Sequence, residues 1–362
     1  MSVECALACH AGVGREHEAG TGYEVVERSG ATLEDVARAA GVSLATASRA
    51  LNGSTRRVRP EYVERVEAAA RELRYMPNVQ AQAVARGATT VVSLVVGEIT
   101  DPYFAQIAAG AMRAADRAGL VLVITSTAGD AEREASVLRS VAGLRPRAVV
   151  LAVSRRTSSA AAAGVELLRG GGASVVALVS DEGAASPTAV IPLVIGNRAG
   201  ATALAEALVD EGHRDFAVLA GEPDVVTARA RATGFVDGLA RRGIRLADDR
   251  VVAGVFTRDG GHAAMTQLLE AGVRPGCVFA VNDVSAVGAL AAIRDHGLEP
   301  GRDIAVAGFD DVGTLADVVP ALSTVHLPLE TIGEFAVQAA LGEDVPAVVA
   351  GEVVLRASTR LA

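Results

Sequence analysis

Lysine is missing from this 362-residue chain: all 34 basic residues are arginine. That bias points to a GC-rich genome rather than to a function. Tryptophan is missing too and aromatic residues make up only 3%, while half the chain is apolar. A large core must therefore be mainly aliphatic. The three cysteines, Cys5, Cys9 and Cys277, are too few for a disulfide framework. Cys5, Cys9, His10 and His17 can be drawn together as a zinc set, but their spacing matches no common structural zinc site. No apolar run reaches the roughly 18 residues of a membrane span. The N-terminus has neither a basic segment nor a continuous apolar one, which speaks against export. The expectation is a reduced, cytoplasmic protein. No P-loop, GxGxxG after the first strand, G-x-S-x-G elbow or HExxH occurs, and the six histidines show no paired spacing of a catalytic or metal site. The chain is not expected to be an enzyme, and no cofactor or metal is expected.

The formal charge of −9 is unevenly spread. Residues 31–90 hold nine Arg against six acidic residues, whereas residues 91–362 hold 23 against 32. A small basic module on a large acidic body suits a protein in which only the module meets phosphate.

That module contains the most informative stretch, TLEDVARAAGVSLATASRALN, residues 32–52. Thr32 precedes acids at Glu34 and Asp35, the first-turn pattern of a capped helix. Leu33, Val36, Ala37 and Ala40 form one apolar stripe, and Gly41 ends the helix. Ser43 caps a second helix with Ala47, Ala50 and Leu51 inward. The layout is that of a helix-turn-helix, which lays its second helix in the DNA major groove; an ordinary helical hairpin is the bland alternative. After the polar loop GSTRRVR, Pro60 opens a third helix with Tyr62, Val63, Val66, Ala70 and Leu73 on its apolar face. Arg56, Arg57 and Arg59 are placed to touch a DNA backbone, or form a merely solvated loop.

The expected division is a disordered extension at 1–30, a helix-turn-helix domain at 31–76, a linker at 77–88 and a core at 89–362. VQAQAVARG in the linker is too short for a stable isolated helix. From Thr89 onward, short apolar strands alternate with amphipathic helices, which means parallel sheets covered on both faces. The fold class is α/β: two doubly wound subdomains of five or six strands each, with ligands at the carboxyl ends of the strands.

Several motifs occur in order: TLEDVARAAGVSLATASRALN, ELRYMPNVQAQAVARG, ITDPYF, ARARATGF, AVNDVSAVGAL, GRDIAVAGFDD and LSTVHLPLETIG. Together they resemble the lac repressor (LacI/GalR) family of bacterial transcription factors over residues 31–362. The resemblance implies a helix-turn-helix, a hinge helix and a periplasmic-binding-protein-like core. It makes Leu44 and Ala45 the main sequence readers, with Arg49 on bases or backbone, and Thr46, Ser48 and Asn52 binding phosphate or holding the helix; Thr32, Ser43, Arg57 and Asn78 complete the candidate DNA-binding set. Arg49 can reach guanine O6 and N7, whereas Leu44 and Ala45 offer only apolar contact, for example to thymine methyls. In the hinge, Val84 stands where a family leucine wedges open the central base step, with Ala81 and Ala85 nearby.

For the core the resemblance implies a ligand between the subdomains, walled by Tyr103 or Phe104 and by Phe256. Arg231 matches an effector-binding arginine, and Asn282, Asp283 and Asp310 match polar residues at strand ends. Ser180 stands where many sugar-responsive members carry an Asp, and Gly196, directly before Asn197, where many carry another, so the pocket lacks carboxylates that grip sugar hydroxyls. The implied function is a homodimeric, sequence-specific DNA-binding regulator of the repressor kind. A small-molecule effector, sugar-like by family default, would switch its affinity for a near-palindromic operator. A solute-binding protein without a regulatory role is the alternative, disfavoured by the helix-turn-helix and the lack of an export signal. With no heptad tail, no coiled-coil tetramer is expected.

Overall fold

The structure, a computed structural model, describes residues 31–52, 58–76, 89–153, 159–181, 190–313 and 317–361. Two compact units, Met1–Asn78 and Val79–Ala362, divide the chain. The expected extension at 1–30 and linker at 77–88 lie outside the described residues.

The first unit is three helices: α1 (Leu33–Ala40), α2 (Leu44–Asn52) and α3 (Pro60–Glu72). Thr32 and Asp35 form a reciprocal capping box: the Asp35 amide donates to Thr32 Oγ1 at 3.2 Å, and the Thr32 amide donates to Asp35 Oδ2 at 3.0 Å. Gly41 closes α1 in the left-handed region, at φ 61°. The Arg65 guanidinium on α3 donates to the Ala40 carbonyl at the same end, satisfying an acceptor that the helix leaves open. Val36, Ala37, Ala40, Ala47, Val66 and Ala69 are the buried centre. Ala69 was not read from the sequence as part of the third helix's inner face; Leu73, which was, is exposed.

Among the described residues the second unit holds two larger sheets and a two-stranded one. Six parallel strands run in the order β2 (Val121–Ser126), β1 (Val91–Val96), β3 (Ala148–Ala152), β4 (Ser174–Ser180), β5 (Ile191–Ile195) and β11 (Val348–Val349). Four more, also parallel, run β7 (Val251–Val252), β6 (Phe216–Leu219), β8 (Cys277–Ala280) and β9 (Ala305–Ala307). An antiparallel pair, β10 (Thr324–His326) with β12 (Glu352–Val354), stands apart. The second sheet is thus smaller than the sequence suggested: RVVAGVF supplies only the two residues of β7, and the closing VVLRAST becomes β12 and a short 3₁₀ turn at Ala357–Thr359.

Helices cover the sheets: α4 (Pro102–Arg117), α5 (Ala131–Gly143) and α6 (Ser159–Gly170) with α11 (Leu329–Ala340) around the first, and α7 (Asn197–Asp210), α8 (Val226–Arg241), α9 (Arg258–Glu270) and α10 (Asp283–Asp295) around the second. The chain crosses between subdomains three times, from β5 into α7, from β10 into α11 and from β11 into β12. Helix α11 was not read from the sequence, although Ile332, Ala336, Val337 and Ala340 mark its buried face. It packs backbone-to-backbone on α4: a Cβ on Gly110 would fall 1.8 Å from the Glu330 carbonyl oxygen, and one on Gly333 2.0 Å from that of Ile107. The largest hydrophobic cluster is continuous across both subdomains and includes Phe235 stacked on Phe279 at 4.3 Å.

Candidate nucleic-acid interface and ligand cleft

In α2 the Ser43 hydroxyl accepts from the Thr46 amide at 3.2 Å and bonds the Thr46 hydroxyl at 2.8 Å, which fixes the first turn. At about 100° per residue, Leu44, Ala45, Ser48 and Arg49 fall on one side of the helix and Ala47, Ala50 and Leu51 on the other. Burial follows that division. Ala47 is fully buried, Leu44 is 51% exposed, and Ala45 and Arg49 are exposed, with Ser48 half-buried. Half of the Leu44 surface is open to solvent and so accessible to a partner. Thr32 is committed to its cap, where its hydroxyl donates to Asp35 at 2.7 Å and holds that carboxyl below its ordinary range. Asn52 ends α2. Arg57, Asn78, Ala81, Val84 and Ala85 lie outside the described residues, as does Arg56. Arg59 precedes α3 and pairs with Glu61 at 3.6 Å.

In the second unit the strand ends meet at a cleft lined by Tyr103, Phe104, Ala152, Val153, Leu178, Val179, Ile195, Asn197 and Thr227. Its free volume is about 10 Å³, room for about one water molecule. A larger ligand enters only if the subdomains part or the lining shifts. Asp101 caps α4 by accepting from the Tyr103 amide at 2.9 Å, which sets Tyr103 at the cleft with its ring edge-on to Phe104 at 5.0 Å. Phe104 is itself buried and Phe256 half-buried; Phe256 packs near Gly221 and Val281 and is not part of the cleft lining.

Arg231 on α8 is the centre of the polar cluster, 1% exposed. Its Nε donates to Asn197 Oδ1 at 2.8 Å, its Nη1 to the Val281 carbonyl at 2.9 Å and its Nη2 to Asp310 Oδ1 at 2.6 Å. The Phe309 ring lies under the guanidinium at 4.0 Å. Buried charges need this degree of pairing. Asp310 follows β9 at φ 115°, a conformation rare for a side-chain-bearing residue. Burial pushes its carboxyl up, Arg231 pulls it back, and the outcome is about 7.

Asp283 opens α10 and is fully engaged. Its Oδ1 accepts from the Thr324 hydroxyl at 2.7 Å and its Oδ2 from the Val312 amide at 2.9 Å. Burial, with Asp310 nearby, still raises it to about 8. Asn282 caps the same helix by accepting from the Ser285 amide at 3.0 Å. Ser180 is buried beside Asp181, whose two oxygens accept from the Arg198 and Ala199 amides at 2.8 and 3.0 Å. Asp181 therefore caps α7, whose own N-cap, Gly196, has no side chain for the task.

Of the residues named from the sequence, Tyr103 and Phe104 line the cleft; Arg231 is buried behind its lining residue Asn197 and pairs with Asp310; Asn282 and Asp283 stand at the start of α10; and Phe256 is not among the lining residues. Sequence reasoning named Asn197 only as the neighbour of a missing Asp, gave Asp101 no role and did not mention Thr227. A polar residue directly after a buried strand was the available signal for Asn197. No group of three or more His, Cys, Asp or Glu among the described residues could hold a metal, and no helix among them is long and apolar enough to cross a membrane.

The model for bacterial regulatory proteins of the lacI family matches residues 32–78, and that for a periplasmic binding protein-like domain matches residues 205–359. The ribose operon repressor of Escherichia coli (strain K12) is 31% identical over 85% of this chain and 91% of its own length. The HTH-type transcriptional regulator GalR of the same strain is 31% identical over 86% and 88%. Among solved structures, the lac repressor dimer bound to operator and the anti-inducer ONPF superposes with a TM-score of 0.79 at 28% identity, covering 92% of this chain and 99% of that one. A transcriptional regulator CelR–cellobiose complex gives 0.65 at 29% identity, covering 91% and 99%.

Proposed function

The chain belongs to the lacI family of bacterial regulatory proteins, and from that premise we propose that it is a homodimeric repressor whose hold on a near-palindromic operator is switched by a small molecule. The observation that carries the DNA half is the outward face of α2, where Leu44, Ala45 and Arg49 stand exposed on a helix buried along its other side. Arg49 supplies the hydrogen-bonding reader, able to take guanine O6 and N7, and Leu44 and Ala45 read thymine methyls. A twofold dimer places two such helices on two half-sites. The lac repressor relative is itself a dimer on operator DNA.

Closure of the cleft between the subdomains is the switch. An effector held by Arg231, Asp310 and Tyr103 favours one angle between the sheets, and that angle sets the separation of the segments leading to the two DNA-binding units. Only an effector that binds the two angles unequally can move the equilibrium.

The test is selection of DNA from a random pool by the purified full chain. Recovery of a palindrome centred on a flexible pyrimidine–purine step is the expected result. Enrichment of no sequence, with or without candidate metabolites, would refute the regulator reading.

A further inference from the structure

We propose that Asp311, gripped by Arg356 and His326, is the positioning residue that ties the polar cluster behind the cleft to the strands that cross between the subdomains. The inference rests on the regulator reading above and names the link by which the cleft reaches the crossovers. It starts from the backbone after β9. Asp310 and Asp311 are consecutive, and both have positive φ, 115° and 55°. Two such residues in a row persist only where their surroundings hold them there. The turn sends the two carboxylates to different partners. Asp310 pairs with Arg231 at 2.6 Å, whereas Asp311 takes Arg356 at 2.7 Å and His326 Nδ1 at 3.1 Å.

Both partners of Asp311 are fixed to the crossing strands. Arg356 Nη1 also donates to the Leu322 carbonyl at 2.8 Å, and the Arg356 amide donates to the Ser323 hydroxyl at 2.7 Å, which anchors it at the entry to β10. His326 is the last residue of β10 and stands opposite Glu352, the first of β12. Two of the three crossovers adjoin this pair: Leu327–Pro328 leads into α11, and Ala350–Gly351 leads from β11 into β12. They are packed closely, since a Cβ on Gly351 would fall 2.6 Å from Val325 Cγ1. A change of angle between the subdomains must bend the chain at these segments. The Asp310 amide donates to the Val325 carbonyl at 2.9 Å and its carbonyl accepts from the Leu327 amide at 3.2 Å, so the main chain fixes where the turn sits. The Asp311 carboxylate fixes which way Asp310 faces. From there the contacts run to Arg231 and on to Asn197 in the cleft lining, a contiguous network of the kind that carries coupling.

The titration of Asp310 reads its position and needs no effector. In the full chain with isotope-labelled aspartate, the carboxyl carbon resonance of Asp310, assigned with Asp310→Asn, is followed against pH. Asp311→Gly keeps the left-handed backbone at no steric cost and cuts the link. Loss of the Asp311 charge by itself would lower the Asp310 midpoint, whereas loss of the Arg231 pairing raises it. The expected result is a rise of about one pH unit. Arg356→Gln, which breaks the link from its other end, should give the same rise and stands in if Asp311→Gly does not fold. Arg214→Gln, whose guanidinium donates to the Val209 and His213 carbonyls at the end of α7, should destabilise the chain and leave the midpoint where it was. An unchanged or lowered midpoint in the folded link variant overturns the proposal. A second measurement uses the operator sequence recovered by selection. Asp310→Asn should change operator affinity at least about fivefold, and should change it no further in an Asp311→Gly background. An equal shift in both backgrounds, or none in either, also overturns the link. A wild type that binds no operator counts against the regulator reading alone, because the titration stands without DNA.

Discussion

Replacing Arg231 by glutamine should be among the most damaging single changes in the second unit, and its cost should depend on pH. The side chain is 1% exposed and donates to Asn197, Val281 and Asp310. Removing one partner of a buried ion pair costs about 3–5 kcal/mol, because the remaining charge is left without compensation. Glutamine can keep one of the neutral contacts, so the lower half of that range applies at neutral pH, about 3–4 kcal/mol. In a unit of this size that lowers the melting temperature by about 10 °C. Without Arg231 the Asp310 carboxyl, already near 7, moves further up. A carboxyl with a raised folded value binds more protons folded than unfolded between its unfolded value, near 3.8, and its folded one, so stability falls as pH rises through that window. The deficit of the variant should therefore be smaller near pH 5 than near pH 8.

The assay is urea unfolding followed by far-UV circular dichroism at several pH values, for Arg231→Gln, Asp310→Asn and the double variant. Neutral amides at both positions leave no orphaned charge, so the double variant should recover about 2 kcal/mol relative to the sum of the single changes. A single-variant cost below about 1 kcal/mol, the level of an ordinary surface change, would refute the buried-pair argument. So would strict additivity in the double variant.

Asp283→Asn should flatten the pH dependence of the second unit. Asp283 is raised to about 8, so it lowers stability progressively from about pH 5 to pH 8, by up to about 1.4 kcal/mol per pH unit; unfolding midpoints across that range check it. Gly110→Ala should cost about 3 kcal/mol, since its Cβ would fall 1.8 Å from the Glu330 carbonyl and force α4 off α11. Gly143→Ala, where nothing lies within 4 Å, should be neutral in the same thermal melt. Ala45→Gln should redirect base preference toward adenine in the half-site, worth about 1–3 kcal/mol against the original base, with the melting temperature of the second unit unchanged; repeat selection from the random pool reads it.

What was legible in the sequence was whatever depends on near neighbours along the chain. Thr32 and Asp35 are three residues apart, and their capping box could be read from spacing alone. The apolar runs of β1, β3 and β4 announced a sheet buried on both faces, because strands in such sheets have no polar side to show. The second sheet was overestimated where apolar letters such as RVVAGVF form only a two-residue edge strand. Helix α11 passed unread because small residues dominate the seam by which it meets α4, and Gly110 and Gly333 signal close approach only once both helices are in place.

The cleft shows the limit more sharply. Arg231 and Asp310 are 79 residues apart, and only the packing of α8 beside the strand ends of the second sheet brings them to 2.6 Å. The sequence gives Asp283 and Asp310 equal standing as acids at strand ends, yet hydrogen bonding separates them. Asp283 has both oxygens taken, by Thr324 and Val312, and so holds the loop after β9 against α10. Asp310 spends one oxygen on the Arg231 guanidinium. A change of effector specificity should therefore be sought at Asn197 and Thr227, which line the cleft, and next at Asp310, which acts on Asn197 through Arg231, before Asp283, whose substitution alters the cleft's support.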